Sequence, residues 1–207
     1  MSINVLEQIL QVVFLVMSVV IHEVSHGYAA YLMGDKTAFY AKRLTLNPIR
    51  HIDLFGSIIL PLLLIITKAG FVLGWAKPVP YNPYNLSNQK WGGALVALAG
   101  PVSNFILAGV FVVLIKLGAG GILPISQDMA YFFSIIVLIN LVLGLFNLVP
   151  IPPLDGSKII MPFVPYQYAH IVHNLERYGF IFAMLFIVLL WGPFSTLVMW
   201  IFEKLIT

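Results

Sequence analysis

Residues Val5–Met33 read VLEQILQVVFLVMSVVIHEVSHGYAAYLM, and this stretch decides the fold. A bilayer core of about 30 Å is crossed by about 20 mostly apolar residues rising 1.5 Å each, so the run is long enough to span. It is interrupted by Gln11, Ser18 and the group His22, Glu23, Ser25 and His26. Charged residues inside a span cost about 2.5–3.5 kcal/mol each on insertion scales, so three ionisable residues in five need a chemical reason. His22-Glu23-Val24-Ser25-His26 is H-E-x-x-H. On a helix, histidines at i and i+4 stand one above the other, where two imidazoles can bind one Zn²⁺, while the intervening Glu reaches water as a general base. A chance match in an ordinary helix is the bland reading, and the membrane setting weakens it.

The whole chain agrees with the stretch. Of its 207 residues 60% are hydrophobic and 9% charged, with mean hydropathy +0.98. Soluble domains carry about 25% charged residues, so a water-soluble monomer is excluded, and apolar content this high excludes disorder. The net charge of +3 gathers into no long basic run, which leaves no case for nucleic acid. There is no cysteine, so disulfides, thiolate metal sites and cysteine nucleophiles are all absent. Any metal must be held by His and carboxylate. No Lys or Arg precedes the first apolar run, so the N-terminus lacks the basic region of a cleaved signal peptide and is expected to remain as a membrane helix. The length suits one domain, residues 1–207.

Further clear spans are Trp91–Leu117 and Met129–Val149, and the last apolar block, Gly179–Ile206, should kink or break at Trp191-Gly192-Pro193. Leu54–Leu73, carrying Pro61, Lys68 and Gly70, is weaker. Residues 34–50 hold Lys36, Lys42, Arg43 and Arg50, and residues 76–90 hold Lys77 and Lys90, whereas 118–130 hold neither Lys nor Arg. The positive-inside rule puts the first two loops in the cytoplasm and the third outside. Leu54–Leu73 is flanked by basic loops on both sides, so it reads as a re-entrant segment or short hairpin that walls an internal wet site; an ordinary span with a misplaced Lys68 is the competing reading. The expected fold is an all-α polytopic membrane protein with about four to six membrane segments, one of them re-entrant, and a metal site inside the helix bundle.

A catalytic zinc takes three protein ligands and keeps an open position. His22 lies about 17 residues, or about 26 Å, into the first span. Asp155 follows the cytoplasmic end of the third, so the two depths agree if the spans are parallel, as the loop charges require. Pro150, Pro152 and Pro153 forbid a helix there and suggest an extended strut carrying the carboxylate inward; a plain proline-rich turn is the competing reading. His51 with Asp53 can line the site or form an interfacial loop pair. His170 and His173, beside Glu176 and Arg177, read as a solvated helix face rather than a second metal site. Trp75, Tyr81, Tyr84 and Trp91 read as an interfacial belt, and Asn104 and Asn140 as interhelical hydrogen-bonding groups or substrate contacts.

The helix-borne H-E-x-x-H together with Asn147-Leu-Val-Pro150-Ile-Pro152-Pro153-Leu-Asp155-Gly156 resembles the site-two protease family of intramembrane zinc metalloproteases, in its small members without PDZ or CBS domains. Asn47-Pro48-Ile-Arg-His51-Ile-Asp53, Gly74-Trp75-Ala-Lys77-Pro78-Val-Pro80 and Gly100-Pro101-Val-Ser-Asn104 extend the likeness over most of the chain. The resemblance implies one zinc per chain held by His22, His26 and Asp155, with Glu23 as the base and Asn147 as a substrate-binding or transition-state-stabilising group. It implies hydrolysis of peptide bonds in or near the transmembrane helix of a membrane-anchored protein or peptide. The lipid bilayer is the medium, the location is the plasma membrane of a prokaryote, multi-pass, and the active site lies near the cytoplasmic side. A membrane zinc transporter or assembly factor without hydrolytic activity would also place His and Asp in the membrane. Glu23 separates the two, because hydrolysis needs a carboxylate that is not a ligand and transport gains little from one.

Overall fold

The computed structural model of the chain describes residues 5–67, 74–168 and 175–207. Its helices, in chain order, are α1 (Val5–Leu32), α2 (Thr37–Tyr40), α3 (Leu60–Ile66), α4 (Gly92–Ala119), α5 (Gln127–Asn147), α6 (Asp155–Ile160) and α7 (Gly179–Ile206), and no strand occurs among the described residues. Four of them, α1, α4, α5 and α7, are long and apolar enough to cross a membrane. They correspond to the three clear spans and the last apolar block, each within about two residues of its expected bounds.

Contacts give the helix directions. From α1 to α5, Glu7 meets Tyr131, Phe14 meets Phe132 and Ser18 meets Asn140, so the two run parallel. From α1 to α4, His26 meets Val96 while Ser18 meets Asn104, so these two run antiparallel. The parallel pair is the condition that the matched depths of His22 and Asp155 demand. A satellite of α4, α5 and α7 packs through Ala108, Val112, Ile115, Val137, Leu141, Phe194 and Val198. Outward faces stay apolar and uncovered, as at Val12 and Val188, which suits contact with lipid.

The described stretches on either side of residues 68–73 come together. Asp53 accepts a hydrogen bond from the Gly56 amide at 2.7 Å and starts a π-helical turn, Leu54–Ile59, that leads into α3. These thirteen helical residues rise about 20 Å, short of a bilayer core. Downstream, the Trp75 amide donates to Gly56 O at 3.2 Å and the Lys77 amide to His51 O at 2.8 Å. The chain therefore returns to the level at which it left, as the two basic flanks suggested. Lys68 and Gly70, and the rest of the expected segment as far as Leu73, lie outside the described residues.

Two local expectations are corrected. Of the kink or break expected at Trp191-Gly192-Pro193, the break does not occur: α7 runs as one helix through Pro193. Interior proline costs about 3 kcal/mol, whereas opening the helix in hydrocarbon would strand several backbone groups at several kcal/mol each. Hydroxyls of Ser195 and Thr196 donate to Gly192 O at 2.9 and 3.0 Å and strengthen that turn. The Pro150–Pro153 stretch is non-helical but turned rather than extended, with Ile151 N bonded to Val149 O and Leu154 N to Ile151 O. The chain has to fold back within eight residues, because Gly156 packs against the Leu148 and Val149 carbonyls. Turns achieve that reversal and a straight strut would not.

Candidate metal centre and catalytic site

Helix α1 carries His22 and His26 one turn apart, their rings edge to face with centroids 4.6 Å apart. The fold-back after α5 delivers Asp155 as the first residue of α6. Asp155 Oδ2 lies 3.0 Å from His22 Nε2 and 3.2 Å from His26 Nε2. The three side chains are 8, 11 and 12% exposed, and one donor atom from each falls within 4.8 Å of the other two. No other such metal-holding group occurs among the described residues.

The trio fits a metal ion on its own chemistry. His22 Nδ1 faces Asn104 Oδ1 at 2.6 Å and His26 Nδ1 faces Val96 O at 2.7 Å, so both Nδ1 atoms carry the proton and both Nε2 lone pairs turn to the shared point. Two imidazoles and one carboxylate make a three-ligand catalytic zinc set, leaving one position open. Asn104 and Val96 belong to α4, as does Gly100 midway between them in sequence. A Cβ on Gly100 would stand 2.5 Å from His26 Cε1 and 2.6 Å from His22 Cε1, so the missing side chain is what lets both rings seat against α4.

The non-ligand carboxylate has its own support. Glu23 Oε2 accepts the Val79 amide at 2.8 Å. Val79 lies in the non-helical run that follows the hairpin, which buried Arg43 holds by donating from Nη2 to Lys77 O at 2.7 Å and Pro78 O at 3.3 Å. Burial pushes the Arg43 guanidinium below its ordinary value, with the Glu23 charge opposing. A cavity of about 540 Å³ opens against this arrangement, lined by His22, Glu23, His26 and Asp155 with Asn147, Trp75, Tyr81 and Lys158. Asn147, the last residue of α5, is half-buried and its Nδ2 donates to Leu143 O at 3.0 Å.

The remaining expectations divide. His51 and Asp53 stay out of the cavity: His51 Nε2 donates to Thr45 O, and Asp53 caps the hairpin. Of the four aromatics assigned to an interfacial belt, Trp75 and Tyr81 line the cavity, Trp75 while still 41% exposed; Tyr84 is 87% exposed. His170 and His173 lie outside the described residues. Asn104 and Asn140 do bond between helices, and Asn104 also touches His22. Sequence reasoning missed the parts played by Gly100, Arg43 and Lys158. Gly100 enters the sequence reading only within the Gly100–Asn104 likeness and Arg43 only as a loop charge, and neither betrays its packing partner locally; Lys158, three residues after Asp155, is not singled out there.

An all-helical membrane bundle enclosing an H-E-x-x-H pair completed by a distant Asp is the architecture of a membrane metalloprotease. Residues 10–124 and 120–191 match Peptidase family M50, and the chain belongs to that family. It is 44% identical over 193 residues to a Bacillus subtilis protein whose name reads "Putative zinc metalloprotease YwhC", covering 91% of this chain and 83% of that one. A Mycolicibacterium smegmatis protein of the same descriptive name, Rip2, is 29% identical over 192 residues, covering 90% and 70%. The zinc metalloprotease MJ0392 of Methanocaldococcus jannaschii is 24% identical over 183 residues, covering 88% of this chain and 42% of that one. No solved structure matches. Family and relatives alike indicate a zinc metalloprotease, with one zinc as its cofactor.

Proposed function

We propose that residues 1–207 act as a single intramembrane endopeptidase domain, hydrolysing peptide bonds in or near the transmembrane helix of membrane-anchored substrates. The observation that carries this reading is the convergence of His22, His26 and Asp155 with the non-ligand Glu23 on one cavity among membrane-length helices. His22, His26 and Asp155 would hold the zinc. When bound, zinc supplies a Lewis acid that acidifies water and polarises the scissile carbonyl. Glu23 accepts the proton of the attacking water at its carboxylate and passes it to the leaving amine. The Val79 N–H fixes one Glu23 oxygen and leaves the other for that proton. Asn147, at the cavity wall, supplies an amide N–H for the developing oxyanion.

A substrate in lipid is helical because every backbone group needs a partner, whereas the scissile peptide must be extended to reach Glu23. Cleavage therefore selects helices with Gly, Pro or Asn near the cut, where unwinding costs least. The non-helical Gly74–Val79 run beside the site offers the freed backbone new partners, as in strand addition. The basic flanks of the segment support a cavity that opens toward the cytoplasm, with the plasma membrane as the location on this reading.

Glu23→Gln tests the chemistry on the purified chain with a single-helix, membrane-anchored reporter. The expected result is retained zinc with cleavage abolished. Wild-type cleavage by the variant would refute Glu23 as the base, and loss of zinc would show it to be a ligand. A wild-type chain that binds zinc but cuts no such reporter would favour a metal-handling role.

A further inference from the structure

Three side chains behind the metal centre are buried in the interior of the bundle: Ser18 on α1 is 2% exposed, and Asn104 on α4 and Asn140 on α5 are 0% exposed. Asn104 Nδ2 donates to Asn140 Oδ1 at 2.8 Å and lies 3.5 Å from Ser18 O. Asn140 Nδ2 donates to Ile136 O, one turn earlier on its own helix, at 2.8 Å, and to Ser18 Oγ at 2.9 Å. The polar ends of an amide are set by their partners, and here the partners form a one-way chain. The Ile136 carbonyl only accepts, so it requires the NH₂ end of Asn140. That turns Asn140 Oδ1 toward Asn104 and requires the NH₂ end of Asn104 in reply. Asn104 Oδ1 is then left facing His22 Nδ1 at 2.6 Å, and an acceptor there requires the proton on Nδ1. Flipping Asn104 would set its oxygen against two acceptors, Asn140 Oδ1 and Ser18 O.

We propose that Asn140 is a positioning residue for the metal centre: through Asn104 it fixes the His22 tautomer, so that a backbone carbonyl of α5 dictates which nitrogen of an α1 histidine is free to bind metal. Asn140 touches neither the metal ligands nor the cavity. Its action requires α1, α4 and α5 to be packed together, which ties metal affinity to assembly of the bundle. Groups that orient ligating histidines typically change metal affinity by about 10–100-fold when removed. The inference rests on the reading of His22 as a zinc ligand.

The test uses the full-length chain in detergent or nanodiscs, labelled with ¹⁵N-histidine. In the zinc-loaded wild-type protein, His22 should show a protonated, slowly exchanging Nδ1 and a metal-bound Nε2. Metal on Nδ1, or a protonated Nε2, would overturn the inference without any variant. Asn140→Leu keeps the branched side-chain skeleton and removes both ends of the link; zinc affinity, measured by chelator competition, should fall at least tenfold and the Nδ1–H signal should exchange rapidly. Ser18→Ala leaves the Ile136 anchor in place and should stay within a few-fold of wild type. Wild-type zinc affinity and an unchanged Nδ1–H signal in folded Asn140→Leu would refute the link and leave the zinc site standing. A wild-type chain that binds no zinc would instead defeat the reading of the site itself.

Discussion

Replacing Gly100 by alanine puts a methyl where the rings of His22 and His26 now sit. Its Cβ would lie 2.5 Å from His26 Cε1 and Nε2 and 2.6 Å from His22 Cε1. Carbon atoms in van der Waals contact prefer about 3.5–4.0 Å, so the rings must retreat by about 1 Å. They have little freedom to do so, because Val96 O and Asn104 Oδ1 hold their Nδ1 atoms from one turn on either side of Gly100. Metal sites tolerate deviations of about 0.2 Å in ligand distance, and a misplacement of about 1 Å costs about 10²-fold in catalysis. Gly100→Ala should therefore lose at least tenfold in zinc affinity and about 10²-fold in kcat/KM. Gly109→Ala on the same helix is the control, since a Cβ there meets nothing within 4 Å. Removing an interior glycine should leave that variant unchanged or up to about 1 kcal/mol more stable. The measurements are zinc content after dialysis, chelator competition, thermal unfolding and reporter cleavage. Wild-type zinc affinity and turnover in Gly100→Ala would refute the seating of the rings against α4, and equal losses in both variants would show a general defect in α4.

Arg43→Met should leave zinc content unchanged while lowering kcat, because the Lys77–Val79 run that fixes Glu23 loses its clamp; hydrogen exchange at the Val79 amide should rise, consistent with about 1.5–3 kcal/mol for bonds from a charged donor. Asp35 is wholly buried; burial would raise its pKa, yet hydrogen bonds from Thr37, Asn85 and Asn82 lower it below the ordinary carboxylate value. A depressed folded-state pKa stabilises above the unfolded value of about 4 and is lost as pH falls through the folded value, so the stability gap between wild type and Asp35→Asn should be constant above about pH 5 and shrink below about pH 4 in unfolding titrations. With no native cysteine, single cysteines at Lys42 and Gln89 should label from the same side and one at Gly120 from the other; labelling of Lys42 and Gln89 from opposite sides would overturn the hairpin.

Much of this protein is written locally. The 3.6-residue repeat alone stacks His22 over His26 once the run is a helix, and bilayer thickness alone selects four spans. Loop charge implied a segment that returns to its own side, and the Lys77–His51 and Trp75–Gly56 bonds show the return. Matched depth in parallel spans brought Asp155 to the histidines, and the bond across 133 residues is there. Other features exist only in the packed bundle. Trp75 and Tyr81 read as interfacial anchors in the sequence, and only the packed chain brings them to the cavity wall. Val79 finds Glu23 across 56 residues through a backbone N–H that every non-proline residue possesses. Gly100 matters because two rings from another helix need its empty space, and Asn140 because three helices meet at one amide. In water, an amphipathic stripe would have shown which face of each helix turns inward. In lipid the outer faces are as apolar as the core, so that signal is missing, and only helix packing decides which polar and small residues meet at the metal centre.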